Sequence, residues 1–270
     1  VTDSLCQAAK DASATVVMGL NERDPGSMGT LFNTQVFIGA DGRILGKHRK
    51  LVPTWTERLV HAGGDASTLK VFPTAMAPVS GLICGENTNS FYRMTLLLQG
   101  ERIHVASWPA FPGRARQDAI EIRTRNYAFE GRCFVISSAG VFSDEMRDLL
   151  CVTDEQKSKT FGTGAFSSII GPTGDYLAGP DTGGEKVLYA EVDPETIIDE
   201  KISHDLTGHY NRFDLFTLVV DDRPVQHGTA FKAMEEAEAF PLTAMAESVD
   251  SAEPAKVSHL KSGKLMRRKR

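Results

Sequence analysis

Gly81-Leu82-Ile83-Cys84-Gly85-Glu86-Asn87-Thr88-Asn89 passes in one step from an apolar run to a polar turn, with a thiol at the junction. The apolar half reads as the end of a buried strand, and the polar half leads into a helix that begins at Asn89 and stops at Gly100. Backbone N–H groups and the positive end of a helix dipole stabilise a thiolate, so a cysteine placed there is expected to have a lowered pKa. The alternative is an unpaired cysteine serving as a small buried hydrophobe.

Working outward, Thr68 to Phe72 and Val79 to Cys84 read as a strand pair joined through Pro73 and Pro78. Upstream, Leu31 to Ala40 and Arg43 to Lys47 flank Asp41-Gly42, a strong hairpin signal, and an apolar strand from Thr15 to Leu20 follows Ser4 to Ala12, which reads as the end of a helix. Downstream, Ile103 to Trp108 is a buried strand and Gly113 to Gly131 the longest helical stretch. Ala119, Ile122, Asn126 and Phe129 mark one of its faces, leaving arginines and glutamates on the other. Cys133 to Ala139 returns to strand, and Gly162 to Ile170 and Asp175 to Leu177 form a hairpin about Gly171-Pro172-Thr173-Gly174. A strand from Val187 to Val192 and short helices from Pro194 to Ser203 and Asn211 to Thr217 complete the pattern. Such alternation implies an α/β architecture of layered sheets with helices outside. Residues 1–226 read as one domain, and 227–270 as a mobile tail with a basic terminus.

A chain of 270 residues, 41% hydrophobic and 24% charged, can bury a full core. No apolar run approaches the roughly 20 residues that span a bilayer, and the amino end lacks a charged-then-apolar signal pattern. The expectation is a cytoplasmic protein without a membrane partner. Cys6, Cys84, Cys133 and Cys151 are widely separated and form no C-x-x-C, which argues against a zinc site and a disulfide framework. The net charge of −5 hides an asymmetry: the last ten residues hold six bases and no acid, and the other 260 hold 24 bases and 35 acids. A body that acidic repels phosphate backbones, so nucleic acid is not an expected partner.

A nucleophilic Cys84 needs a group to manage protons and another to stabilise the anion that forms on its substrate. Lys50 stands at the end of the first hairpin, in His48-Arg49-Lys50-Leu51-Val52-Pro53-Thr54, where Pro53 keeps the strand from continuing. Glu57, in Trp55-Thr56-Glu57-Arg58, is close enough in sequence to orient that lysine. Taken singly, the first segment is also a solvated basic cluster and the second a pair of surface charges.

Together these segments resemble the nitrilase, or carbon-nitrogen hydrolase, family. The resemblance is carried by Val16-Val17-Met18-Gly19-Leu20-Asn21-Glu22-Arg23-Asp24, by His48 through Arg58, and by Gly81 through Asn87. It continues through His104-Val105-Ala106-Ser107-Trp108-Pro109 and Ala128-Phe129-Glu130-Gly131, so that it spans roughly residues 1–225. It implies a four-layer αββα sandwich in which Cys84 is the nucleophile, Lys50 the cation that stabilises tetrahedral intermediates, and Glu57 a supporting glutamate. The implied substrate is a small-molecule nitrile, and no metal or organic cofactor is called for. Trp108-Pro109 would line the acyl pocket. The family likeness also implies homo-oligomers, with His209-Tyr210-Asn211-Arg212-Phe213 near the interface.

Two departures qualify the likeness. Gly85 stands where the commoner triplet is Cys-Trp-Glu, which removes a large ring beside the thiol. The family's catalytic glutamate has no counterpart either, because Glu22 is the single glutamate in residues 1–49 and belongs to a segment the family shares. The first strand-helix-strand portion is thus expected to be missing, and the chain alone to be weakly active or inactive. Amidases and carbamoylases use the same residues on carbonyl substrates, and a non-catalytic pseudoenzyme or assembly partner is a third reading. A papain-type arrangement with His104 or His204 lacks its usual surroundings, and no G-x-S-x-G marks a serine hydrolase.

Overall fold

Asp41-Gly42 closes the predicted hairpin: Gly39 N–H bonds Arg43 O at 2.8 Å, and Arg43 N–H bonds the Asp41 side chain at 3.0 Å. Gly42 has φ +80°, and a Cβ there would lie 2.6 Å from Cys6 O, so both backbone conformation and the helix above require glycine. The computed structural model describes residues 1–110, 114–159, 166–225 and 266–267. The hairpin strands are β2 (Leu31–Ile38) and β3 (Ile44–Arg49), and β1 (Val16–Arg23) pairs antiparallel on the other side of β2, from Val16↔Ile38 to Arg23↔Leu31. Side chains alternate across β2 with period two. Val36 and Ile38 meet Ala9, Leu5 and Cys6 of helix α1 (Thr2–Ala12), while Phe37 faces the interior.

The second sheet runs β4 (Val79–Ile83), β5 (Ile103–Trp108), β6 (Phe134–Ala139), β7 (Ser167–Ile170), β8 (Tyr176–Asp181) in that order. Its first three strands are parallel and the rest antiparallel. Parallel neighbours need crossovers. These are α2 (Ser90–Leu97), capped by Asn89 accepting from Phe91 N–H and Tyr92 N–H, and α3 (Arg114–Gly131). Leu96, Leu97, Ile120, Tyr127 and Ala128 pack on the outer face of this sheet against Leu82, Ala106, Val135 and Ile170. Phe37, Phe72, Val79, Ile103, Val105 and Phe134 fill the space between the sheets, each such burial favouring the fold by about 1.5–3 kcal/mol. The layers are therefore α1, three strands, five strands, and α2 with α3, the αββα sandwich expected from the sequence. Gln35 ties the sheets together by donating to Val105 O (3.1 Å) and Ser107 Oγ (2.7 Å). Gly81 leaves room for it, since a Cβ there would approach Gln35 Oε1 to 2.6 Å.

Several elements differ from expectation. Thr68 to Phe72 is no strand: Phe72 makes a single bridge to Val79, and Ala66–Thr68 is a 3₁₀ turn capped by Asp65. Val187 to Val192 has no ladder, and its Val187 and Tyr189 side chains, 68% and 82% exposed, find no sheet face to cover. Asn211 to Thr217 makes one turn, closed by Leu215 and Phe216 N–H on Arg212 O, rather than a helix. The buried face of α3 also differs from expectation. Ile120, Thr124, Tyr127 and Ala128 are buried, whereas Ile122 and Phe129 are exposed, because Thr124 satisfies its hydroxyl on Ile120 O and can face the sheet. Two helices went unforeseen, α4 (Asp144–Leu150), capped by Ser143, and α5 (Asp154–Lys159). A last helix, α6 (Thr196–Ser203), follows the predicted position and places Ile197 in the inter-sheet core. The start of the predicted hairpin at Gly162 and most of the predicted tail lie outside the described residues. Met266–Arg267 pairs in parallel with Val219–Val220. No helix among the described residues is long and apolar enough to cross a membrane.

On the outer face of the three-stranded sheet, Glu22 accepts from Arg49 (2.5 and 3.0 Å), Thr34 (2.9 Å) and Lys47. Burial alone would push the Glu22 carboxyl up, but these hydrogen bonds outweigh it and bring the pKa down to about 2. A folded value below the unfolded one stabilises the fold above the ordinary glutamate range, and that stability is lost as pH falls from about 4.5 towards 2. Glu22→Gln is therefore expected to lower stability at pH 7 by about 1–2 kcal/mol, less than the full shift because water reaches the cluster. It should also flatten the dependence between pH 4.5 and 2, read from denaturant midpoints across that range. An unchanged acid limb would contradict the assignment.

Candidate active site

Cys84 sits at the carboxyl end of β4, where parallel α/β strands commonly present their ligands. Its backbone is left-handed, φ +55°, a conformation that costs a non-glycine residue about 1–3 kcal/mol. Neighbouring side chains hold it there. Asn87 Nδ2 donates to Cys84 O (3.0 Å) and Leu82 O (3.2 Å), which turns Asn87 Oδ1 towards His104 Nε2 at 2.8 Å. His104 Nδ1 lies 2.6 Å from Glu101 Oε1, and Glu101 also accepts from Tyr127 OH (2.7 Å) and Ser80 Oγ. Every member of this chain is buried, so the thiol's backbone rests on a satisfied polar network beneath the sheet.

Lys50 leaves the end of β3 with its N–H on Asn33 O (2.8 Å), which turns its side chain inward, 3% exposed. Nζ donates to Glu57 Oε2 at 2.5 Å and to Thr54 Oγ1 at 3.3 Å. Glu57 caps the 3₁₀ turn Trp55–Leu59 through Thr54 N–H (2.7 Å) and accepts from Asn33 Nδ2 (2.8 Å). Burial would push the Glu57 carboxyl up, but the bonds from Asn33, Lys50 and the Thr54 backbone hold it below the ordinary carboxylate range. Glu86 joins the two segments. Its Oε1 accepts from Leu51 N–H (2.8 Å), and its Oε2 from Ile83 N–H (3.0 Å) and His48 Nε2 (3.0 Å).

Cys84, Lys50, Glu57, Trp108 and Pro109 thus border one cavity of about 700 Å³. Trp108 is 5% exposed and fixed by Nε1 on Ser137 Oγ at 3.1 Å, so it forms a rigid wall. Trp55 borders the cavity too, but is 72% exposed at its mouth. Gly85 also faces the cavity, and a Cβ there would meet nothing within 4 Å, so this side is open. The thiol itself departs from expectation: burial pushes its pKa up, against Lys50, the Gly85 N–H and Arg123, which pull it down. The reason is local. Cys84 opens a 3₁₀ turn of five residues, and α2, whose dipole was expected to act, starts only at Ser90. Among the described residues Glu57 is the only carboxylate lining the cavity, and no group of His, Cys, Asp and Glu could hold a metal ion.

The family described as carbon-nitrogen hydrolase matches residues 1–201 of the chain. The chain belongs to the carbon-nitrogen hydrolase family. Similar proteins include a nitrilase of Paraburkholderia phymatum, 37% identical over 225 residues, and an aliphatic nitrilase of Rhodococcus rhodochrous, 36% identical over 226. The match covers 83% and 81% of this chain, and the chain spans 65% and 61% of the length of those relatives. The crystal structure of a carbon-nitrogen hydrolase from Helicobacter pylori superposes with TM-score 0.65 at 20% identity, over 80% of this chain and 73% of that one, which shows a common fold.

Asn33, Glu86, Asn87 and Arg123 belong to the site without having been among its expected residues. Asn87 and Glu86 carried a signal, since polar side chains directly after a strand end are candidates for capping the turn. Asn33 and Arg123 reach the cavity from β2 and α3 and carried none. His61 borders the cavity with Nε2 2.8 Å from Asn21 Oδ1. In the stretch from His209 to Phe213, Tyr210 is 61% exposed and lies beside the His204 ring.

Proposed function

We propose that this carbon-nitrogen hydrolase converts an organic nitrile to its carboxylic acid and ammonia, with Cys84 as nucleophile. The observation that carries the reading is a thiol on a strained strand end sharing one cavity with the Lys50–Glu57 pair. The names of the relatives support nitrile over amide as substrate. Sγ bonds to the nitrile carbon while the nitrogen takes up a proton, giving a thioimidate. Water adds to that carbon and ammonia leaves, giving a thioester, and a second water releases the acid and restores the thiol. Lys50 stabilises the negative charge that develops on nitrogen and then on oxygen, and Glu57 keeps the lysine oriented.

Glu57 is engaged by three donors and held ionised, so it is a poor acceptor for the thiol proton. Without a second carboxylate in the described cavity, turnover is expected to be lower by about 10²–10⁴ than with a positioned base. The test is to incubate the protein with an aliphatic nitrile, an aryl nitrile and the matching amides, following ammonia and intact mass. Slow ammonia release and an acyl adduct on Cys84, both absent in Cys84→Ala, are expected. Amides consumed faster than nitriles would favour the amidase reading, and no adduct from either class the non-catalytic one.

A further inference from the structure

Arg123 is the one cation bordering the cavity, among the described residues, whose charge is not already matched. Lys50 is paired with Glu57. Arg123 projects from α3 into the cavity wall with its guanidinium 5.9 Å from the centre of the Trp108 ring, and its charge is felt at the Cys84 thiol. Among the described residues no carboxylate pairs with it. A ring at the outer limit of cation–π distance steers a guanidinium but does not neutralise it. The cavity therefore carries a net positive charge facing the thiol, and a partly dry wall makes that charge count for more than it would in water.

We propose that Arg123 is a specificity-determining residue that reads an anionic group on the substrate, so that the favoured nitriles carry a carboxylate at the end away from the cyano group. This rests on the reading of Cys84 as the acceptor of the nitrile carbon. The fit follows from chemistry: a guanidinium presents a planar fork of donors that a carboxylate accepts in pairs. Trp108, held by Ser137, packs beside that fork and limits the directions from which an anion can approach. The open side at Gly85 leaves space for the chain that links the two ends of such a substrate.

The test separates this proposal from the proposed reaction because its first arm needs no turnover. Cys84 in the intact chain is alkylated with iodoacetate and with iodoacetamide at one pH, and the rates are followed by mass of the Cys84 peptide. The reagents differ in charge, and any change in thiolate population affects both alike, so their ratio reports the potential at the thiol. Arg123→Gln is expected to lower the iodoacetate-to-iodoacetamide ratio by about 3- to 10-fold, and Arg123→Lys to retain most of it. In the second arm a cyano-carboxylate should protect Cys84 from iodoacetamide better than the neutral cyano-amide of the same length, and Arg123→Gln should remove the difference. A ratio unmoved by Arg123→Gln overturns the proposal, and so does equal protection by the two nitriles. Failure of every nitrile to release ammonia, with the ratio shifted as expected, would sink the reaction and leave the cationic wall standing.

Discussion

Replacing Lys50 with methionine should slow the acylation of Cys84 by a nitrile by about 10²–10³-fold, the loss typical when one positioned donor to a developing charge is removed. Lys50 Nζ is the charge that Asn33, Thr54 and Glu57 together hold in place, and it is one of the influences that draw the thiol pKa down. Its removal therefore acts twice, by raising the thiol further and by leaving the anion of the adduct without a counterion. It also strands Glu57, which keeps its bonds to Asn33 and the Thr54 backbone but loses the one cation that pairs with it among the described residues. Breaking a buried pair in this way typically costs about 3–5 kcal/mol, and water at the cavity wall reduces that here. Single-turnover mass spectrometry reads the chemistry and denaturant melts read the fold. Lys50→Arg, which keeps the charge and moves it, should recover stability more than rate. If Lys50→Met acylates at the parent rate, the lysine has no part in the reaction.

Glu86→Ala should be the more damaging change to the fold, about 3–5 kcal/mol. The carboxyl is buried and receives three donors, His48 Nε2 from β3, Leu51 N–H from the bend that follows it and Ile83 N–H from β4. Each donor left unpaired in the interior costs about 1–3 kcal/mol, and the three are not additive because they share one cavity. The alanine would also cut the tie between the segment that carries Lys50 and the turn that carries Cys84. Both reagents should then alkylate Cys84 at altered rates even where the protein remains folded. Glu86→Gln keeps one acceptor oxygen and puts an amide against a donor, so an intermediate loss is expected. A midpoint for Glu86→Ala within about 0.5 kcal/mol of the parent, the range of ordinary surface changes, would rule out this bracing role.

The hairpin at Asp41-Gly42, the strand into Cys84 and the helix after Asn89 were legible because local chemistry decides them: a glycine with positive φ, a run of apolar residues, a capping amide. Val187 to Val192 misled because an apolar run announces only a wish for burial, and whether a partner strand is available is a tertiary fact. The face of α3 misled for a related reason. Ile122 and Phe129 are more apolar than Thr124, yet Thr124 meets the sheet because its hydroxyl is satisfied within its own helix. Within the site, Cys84, Lys50 and Glu57 were legible only in combination, as a resemblance. The raised thiol pKa was not, because it depends on how deeply the turn is buried and on where α2 begins.

The left-handed backbone at Cys84 bears on redesign. A procedure that chooses amino acids by backbone preference and packing would put glycine or asparagine there, since both accept φ near +55° more readily than cysteine. Such a redesign would improve on the parent by every measure of foldability and would have removed the thiol. Stabilising this chain by consensus or computation therefore requires that position 84 be held fixed by hand, together with Asn87, whose amide fastens it.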